Sequence, residues 1–240
     1  MPEIPDLTDP RYLDEVGWFL YHEACRRDGF TGSYAEERLA YSAMFLREVL
    51  DFCGENPSWL HDKTVVTFGC GCTGDLNAWP AAKKIAVDPL LYTYQQLGMI
   101  ADDLPGTAST LCLSVGVENL CLLDDCADLV LCRNALDHMF DTRVALREIS
   151  RILKPNGAFF LSVDIGGEPT PDEPTVFSEE SLLSLLNEGF DVTLPLDKKP
   201  PHSPNRICRI RLLARNRKAE PTSALDKGGI LKAYLARCEK

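Results

Sequence analysis

Hydrophobic and polar positions along the 240-residue chain fall into two periods. Residues 11–27 and 34–52 repeat apolar residues at helical spacing; in the second, Leu39, Ala43, Leu46, Val49 and Leu50 share a face. "TVVTF" (64–68), "KIAVDP" (84–89), "STLCLSV" (109–115), "ADLVLCR" (127–133) and "AFFLSVDI" (158–165) are short apolar runs of the kind buried strands use. Helices are predicted between them. "LLYTYQQLGMIADDL" follows the second run. A stronger helix starts at a cap on Asp141 or Thr142, aligns Ala145, Ile149 and Ile152, and ends at Pro155-Asn156-Gly157. A short helix is expected to open near Asp75, and Pro80 stops it early. "SEESLLSLLNEG" (178–189) is a capped helix, and "FDVTLPL" and "RICRIRLLAR" read as two closing strands across a Pro-rich loop. In the last strand Cys208, Ile210 and Leu212 alternate with Arg209 and Arg211, which predicts one wet face.

Five strands alternating with helices predict an α/β chain with a parallel sheet and right-handed crossovers. The closing pair has no helix between its strands and is expected as an antiparallel hairpin at one side of that sheet. Residues 1–53 read as an N-terminal helical cap, 54–215 as the core, and 216–240 as a polar tail with a short helix.

The formal charge of -11 and pI near 4.9 argue against nucleic acid as a partner. The basic run of Arg206, Arg209, Arg211, Arg215, Arg217 and Lys218 is read as a solvated strand face and turn. No apolar stretch approaches membrane-spanning length, so no membrane partner is expected. The opening "MPEIPDLTDP" is acidic and Pro-rich rather than basic and then apolar, and a reducing, cytoplasmic setting is expected. Ten cysteines are present, but no CxxC pair, and no metal site is expected. Cys112, Cys132 and Cys208 sit in apolar runs and are expected to pack as small hydrophobes.

The chemistry concentrates in "TVVTFGCGCTGD" (64–75). Gly69, Gly71 and Gly74 follow a strand, where glycine lets backbone approach a ligand closely. Asp88 ends the next strand, and a carboxylate there can accept both hydroxyls of a ribose. These marks fit two cofactor classes, dinucleotides and S-adenosylmethionine. A pyrophosphate needs a helix N-terminus facing it, and the segment before Pro80 leaves little room for one.

The stretches "VVTFGCGCTGDL", "IAVDPL", "SVGVENLCL", "ADLVLCRNALDHM" and "ALREISRILKPNGAFFLSV" resemble the successive motifs of class I S-adenosylmethionine-dependent methyltransferases. They resemble in particular the ubiquinone/menaquinone methyltransferase-like branch that acts on small molecules. The resemblance spans roughly residues 34–215 and implies a Rossmann-like doubly wound sheet. It implies that the Gly69, Cys70 and Gly71 backbone wraps the methionine half of the cofactor, with Gly74 completing the glycine pattern. It places Asp88 on the ribose, Pro89 and Leu90 beside the adenine, and Val117 and Glu118 flanking the adenine. Cys132, Arg133 and Asn134 are implied to lie under the methionine and face the substrate. Two positions depart from the family pattern: Thr67 and Gly116 stand where acids are usual. Each removes a polar contact of about 1 kcal/mol, so weaker cofactor binding is expected.

The reading is therefore methyl transfer to a small-molecule acceptor, by proximity and in-line orientation. The rivals are a non-catalytic binding or partner protein of the same fold and a nicotinamide-dependent oxidoreductase. His138 is the candidate general base, with a loop-shaping role as the alternative. Tyr34 and Tyr41 are read as packing residues near the pocket and His202 as a solvated loop residue. Glu168, Asp172 and Glu173 are read as part of a solvated acidic loop that could otherwise meet a cationic substrate.

Overall fold

The computed structural model describes residues 9–29, 34–72, 74–100, 109–193, 196–202 and 205–218. The reading of the tail beyond Ala219 and of the Tyr34 side chain lies outside them. Two long helices open the fold, α1 (Pro10–Gly29) and α2 (Tyr34–Cys53). Then come β1 (Thr64–Phe68), β2 (Lys83–Val87), α3 (Leu91–Gln96), β3 (Thr110–Leu113) and β4 (Ala127–Arg133). The chain continues through α4 (Thr142–Ile152), β5 (Leu153–Ile165), α5 (Glu179–Leu186), β6 (Phe190–Val192), β7 (Asp197–Lys199) and β8 (Cys208–Asn216).

The strands form one sheet in the order β3-β2-β1-β4-β5-β8-β6, with β7 added on β8. β1 to β5 pair in parallel, and β8 runs antiparallel to β5, β6 and β7. Alternation along the central strands divides the core into two layers. Val65, Leu129, Leu131, Phe160 and Leu213 face α2 through Phe45, Leu46, Val49 and Leu50. Val66, Val130, Phe159, Leu161 and Leu212 face α4 and α5 through Ala145, Ile149, Ile152, Leu182 and Leu186. α2 is rotated from the expected face: Arg38, Ser42, Phe45 and Val49 are its deepest residues, whereas Leu39 and Ala43 are only half-buried. Among the described residues no helix is long and apolar enough to cross a membrane.

Several expectations need correcting. The segment after the glycines is a set of turns and not a helix, because Pro80 leaves too few residues to nucleate one, and Leu76 and Trp79 instead drop into the α2 layer. α3 stops by Gln96, where Gly98 takes a left-handed φ of 66° that ends helices at little cost; residues 101–104 of the expected helix lie outside the described residues. β5 begins directly after α4. Ala127 pairs with Leu153 and Leu129 with Ala158, so the Pro155-Asn156-Gly157 turn bulges out of the strand instead of preceding it. The expected Pro-rich loop contains β7. The two closing strands pair antiparallel at one side of the sheet as expected, with β8 against β5 and β6 outside it.

The arginine face of β8 is half-covered rather than fully wet. Arg211 lies under α2 and pairs with Glu48 and Asp197, and Arg206 just before the strand is buried. Cys132 is buried, Cys208 half-buried, and Cys112 exposed because β3 is an edge strand with its outer face uncovered.

Asp141 caps α4 as read, its Oδ1 accepting the Arg143 and Val144 amides at 2.9 and 3.0 Å. Asp141→Ala is expected to cost about 1 kcal/mol of stability, read as a shifted urea midpoint with unchanged slope.

Candidate functional site

The sheet order reverses between β1 and β4, and the carboxyl ends of those strands frame the crevice where open α/β sheets bind ligands. A cleft of about 740 Å³, open to solvent, lies there. Phe68 and Gly69 leave β1 into its floor. Asp88, Pro89 and Leu90 follow β2, Val115 to Glu118 follow β3, and Asn134 and Ala135 follow β4. Tyr12 and Glu15 of α1 supply a wall, and His138, Met139, Phe140 and Asp172 close the far end.

Gly69 is required by crowding as well as by φ. It stands at 62°, and a Cβ there would come 2.1 Å from the Ala135 Cβ. Asp88 organises the floor. Its Oδ2 accepts the Gly71 amide and its Oδ1 the Leu90 amide, both at 2.8 Å. Burial raises its pKa, opposed by those two amides. Each oxygen keeps a lone-pair direction for a ligand hydroxyl. Asn134 holds φ of 49°, fixed by its amide donating to Ser162 O at 2.7 Å, and its buried Oδ1 has no hydrogen-bond partner. Glu118 Oε1 accepts the Phe140 and Asp141 amides at 3.0 and 3.3 Å and so ties the two cleft rims together.

The far end is acidic. His138 Nδ1 lies 3.6 Å from Glu15 Oε2, and its Nε2 lies 3.9 Å from Asp137 Oδ1. Burial pushes Glu15 up to about 7, His138 opposing. Burial likewise lifts Asp137 to about 6. For His138 burial acts downward, but Glu15 and Asp137 outweigh it and hold the imidazole above its ordinary value.

Residues 66–161 match the family model described as a methyltransferase domain. The uncharacterized methyltransferase YcgJ of Bacillus subtilis (strain 168) is 33% identical over 129 residues, which cover 49% of this chain and 49% of that protein. The chain is thus similar, over residues 66–161, to a methyltransferase domain. It spans about half the length of the curated relative it matches. Among solved structures, the fold is similar to that of the B. subtilis YcgJ protein, with a TM-score of 0.52 at 15% identity over 66% of this chain and 94% of that one. It is also similar to the Burkholderia thailandensis 1,6-didemethyltoxoflavin-N1-methyltransferase, solved with 1,6-didemethyltoxoflavin and S-adenosylhomocysteine bound. That match has a TM-score of 0.55 at 18% identity over 89% of this chain and 92% of the other. S-adenosylmethionine is the methyl donor of the family.

Not every residue read from the sequence reaches the cleft. Gly69, Asp88, Pro89, Leu90, Val117, Glu118, Asn134 and His138 line it. Cys70, Gly71 and Gly74 face a smaller cavity behind the glycine loop, beside Ala86, Ile100 and Cys112. Gly71 is covered from the other side by Phe19 of α1, whose ring lies 2.4 Å from where a Gly71 Cβ would stand. Cys132 is wholly buried in the α4 layer. Alternation then sends Arg133 to the opposite face, where it stacks between Tyr41 and Phe45 and lies 3.7 Å from Asp75. Neither lines the cleft. Thr67 is buried in β1 between Ala86 and Leu131, away from the cleft wall. At Gly116 the missing side chain leaves room for Glu118, whose Oε2 lies 3.0 Å from the absent Cβ.

The 166–177 loop is not simply solvated. Glu173 is buried in an ion pair with Arg206, Nε to Oε2 2.9 Å, while Asp172 faces the cleft. His202 is exposed and donates its amide to Asp164. Sequence reasoning missed Tyr12 and Glu15. The available signal was an acid, Glu15, on the same helix face as Tyr12, Val16 and Phe19.

Proposed function

We propose that the chain transfers the methyl group of S-adenosylmethionine to a small-molecule acceptor. The observation that carries this is the buried Asp88 at the ribose position of a cleft whose opposite end is acidic. The residues present suit the donor. Asp88 retains acceptor capacity for two hydroxyls, the unpartnered Asn134 Oδ1 offers an acceptor for an amino group, and Glu15 and Asp172 complement a cation. Bound there, S-adenosylmethionine supplies an electrophilic methyl on a cationic sulfur. The turns after the glycine loop favour it over a dinucleotide, because among the described residues of that segment no helix N-terminus faces the cleft to hold a pyrophosphate.

The chain's own part is to position and to exclude water. Tyr12 and Glu15 of α1 cover the acceptor end, and Tyr12 meets Phe140 edge-on with centroids 6.0 Å apart. His138 is the side chain that eases loss of the acceptor's proton. The motif series that resembles the ubiquinone/menaquinone branch supports placing the chain there. The 1,6-didemethyltoxoflavin-N1-methyltransferase, which has a similar fold and a small-molecule acceptor, is consistent with the acceptor class.

The experiment is turnover of methyl-labelled S-adenosylmethionine with a small-molecule acceptor screen. His138→Ala is expected to lower turnover about 100-fold while leaving S-adenosylhomocysteine affinity within a few-fold of wild type. Unchanged turnover would remove His138 from the chemistry.

A further inference from the structure

We propose that Asp137, His138 and Glu173 form a binding site for one divalent transition-metal ion, Mn²⁺ or Zn²⁺, at the acceptor end of the cleft. One ligand atom from each residue lies within 4.8 Å of the others. Two ligands on one such ion at about 2.1 Å each can be at most about 4.2 Å apart. The His138 Nε2 to Asp137 Oδ1 distance of 3.9 Å already satisfies this, and the widest pair needs a side-chain shift of roughly half an ångström.

A second, independent observation points to a ligand. Asp137 is wholly buried, yet neither of its carboxylate oxygens has a hydrogen-bond partner, and the buried His138 Nε2 has none either. Buried carboxylates are costly unless they are paired or coordinate a metal. The surroundings are those of metal ligands. A ligating histidine is commonly held through its other nitrogen by a carboxylate, and Glu15 Oε2 lies 3.6 Å from His138 Nδ1. A ligating carboxylate is commonly held by a donor of its own. Arg206 Nε fills that role on Glu173 Oε2 and leaves the second oxygen free of it. Thr175 pins the Asp137 backbone, its amide donating to Asp137 O at 3.2 Å. Among the described residues the four carboxyl groups of Glu15, Asp137, Asp172 and Glu173 outnumber the two cationic partners Arg206 and His138, so the region is short of positive charge.

An imidazole nitrogen with two carboxylate oxygens suits Mn²⁺ or Zn²⁺ better than the all-oxygen cations Mg²⁺ and Ca²⁺. The binding claim stands by itself. Its place in the reaction, polarising an acceptor oxygen so that the proton leaves without His138 as its base, since a ligating His138 is no longer free to take it, rests on the methyl-transfer reading.

The test uses the untagged full chain, stripped with a chelator and dialysed, then titrated with Mn²⁺ and followed by free-ion electron paramagnetic resonance. Zn²⁺ and Mg²⁺ are titrated in parallel by calorimetry. One Mn²⁺ per chain is expected, with affinity at least about tenfold lower in Asp137→Asn and in Glu173→Gln. Mg²⁺ is expected to bind more weakly than Mn²⁺. No saturable Mn²⁺ or Zn²⁺ binding by the wild type would overturn the proposal, and so would undiminished binding in folded Asp137→Asn or His138→Gln protein. An S-adenosylhomocysteine titration on the same sample separates this failure from failure of the methyltransferase reading.

Discussion

Asp88→Ala is expected to weaken S-adenosylhomocysteine binding about 1,000-fold, an effect of about 4 kcal/mol from the loss of charge-assisted bonds to two hydroxyls. The side chain does two jobs at once. Its oxygens already hold the Gly71 and Leu90 amides and so fix the turns on either side of the cofactor's place. Removing it leaves two amide donors near the cleft without that partner and loosens the floor as well. Asp88→Asn keeps the side chain's volume and one acceptor but turns its NH2 toward the other amide donor, so it is expected to lose less stability than Asp88→Ala while still binding more weakly. Calorimetric titration of both variants checks this, with thermal unfolding as the control on folding. Near-wild-type affinity in Asp88→Ala would show that the ribose does not rest on this carboxylate.

Arg206→Met is expected to have the largest effect on stability, about 3–5 kcal/mol, because it strands the Glu173 carboxylate in the interior. The guanidinium is fully buried and bonded four ways. It donates to Glu173 Oε2 and to Glu173 O, both at 2.9 Å. It also reaches Gly166 O at 3.3 Å and Glu168 O at 3.4 Å. It thereby anchors the loop that delivers Asp172 to the cleft. Pairing the change with Glu173→Gln removes the stranded charge and should recover part of the loss. Urea unfolding of the two variants and of wild type measures both quantities. A loss below about 1 kcal/mol for Arg206→Met would mean that Glu173 is already neutral or satisfied by other partners.

Much of this architecture was legible because local pattern and tertiary demand agreed. The β4 run "ADLVLCR" is a strand with the bounds read from the sequence, since both of its faces are buried and every residue is compatible with that. Asp141 caps α4 as its residue type predicts. The glycines and Asp88 carried the cofactor reading, because a crowded turn and a carboxylate after β2 have few other uses. What failed was decided by distant residues. Arg211 alternates like a wet residue, but α2 arrives over it with Glu48, which lies 163 positions away. Cys132 and Arg133 sit at the expected strand end, yet alternation points one into the core and the other under α2. The acidic end of the cleft joins Glu15 of α1, Asp137 and His138 after β4, and Glu173 after β5. No spacing rule connects three such segments, so this grouping of side chains was not visible in the sequence.

The central claim is that the cleft between β1 and β4 holds S-adenosylmethionine. Calorimetric titration of the full chain with S-adenosylmethionine and S-adenosylhomocysteine, with NAD as the comparison, tests it most directly. Saturable one-to-one binding of the first two and no heat from NAD is the predicted result. Binding of NAD alone, or of none of the three, would contradict it.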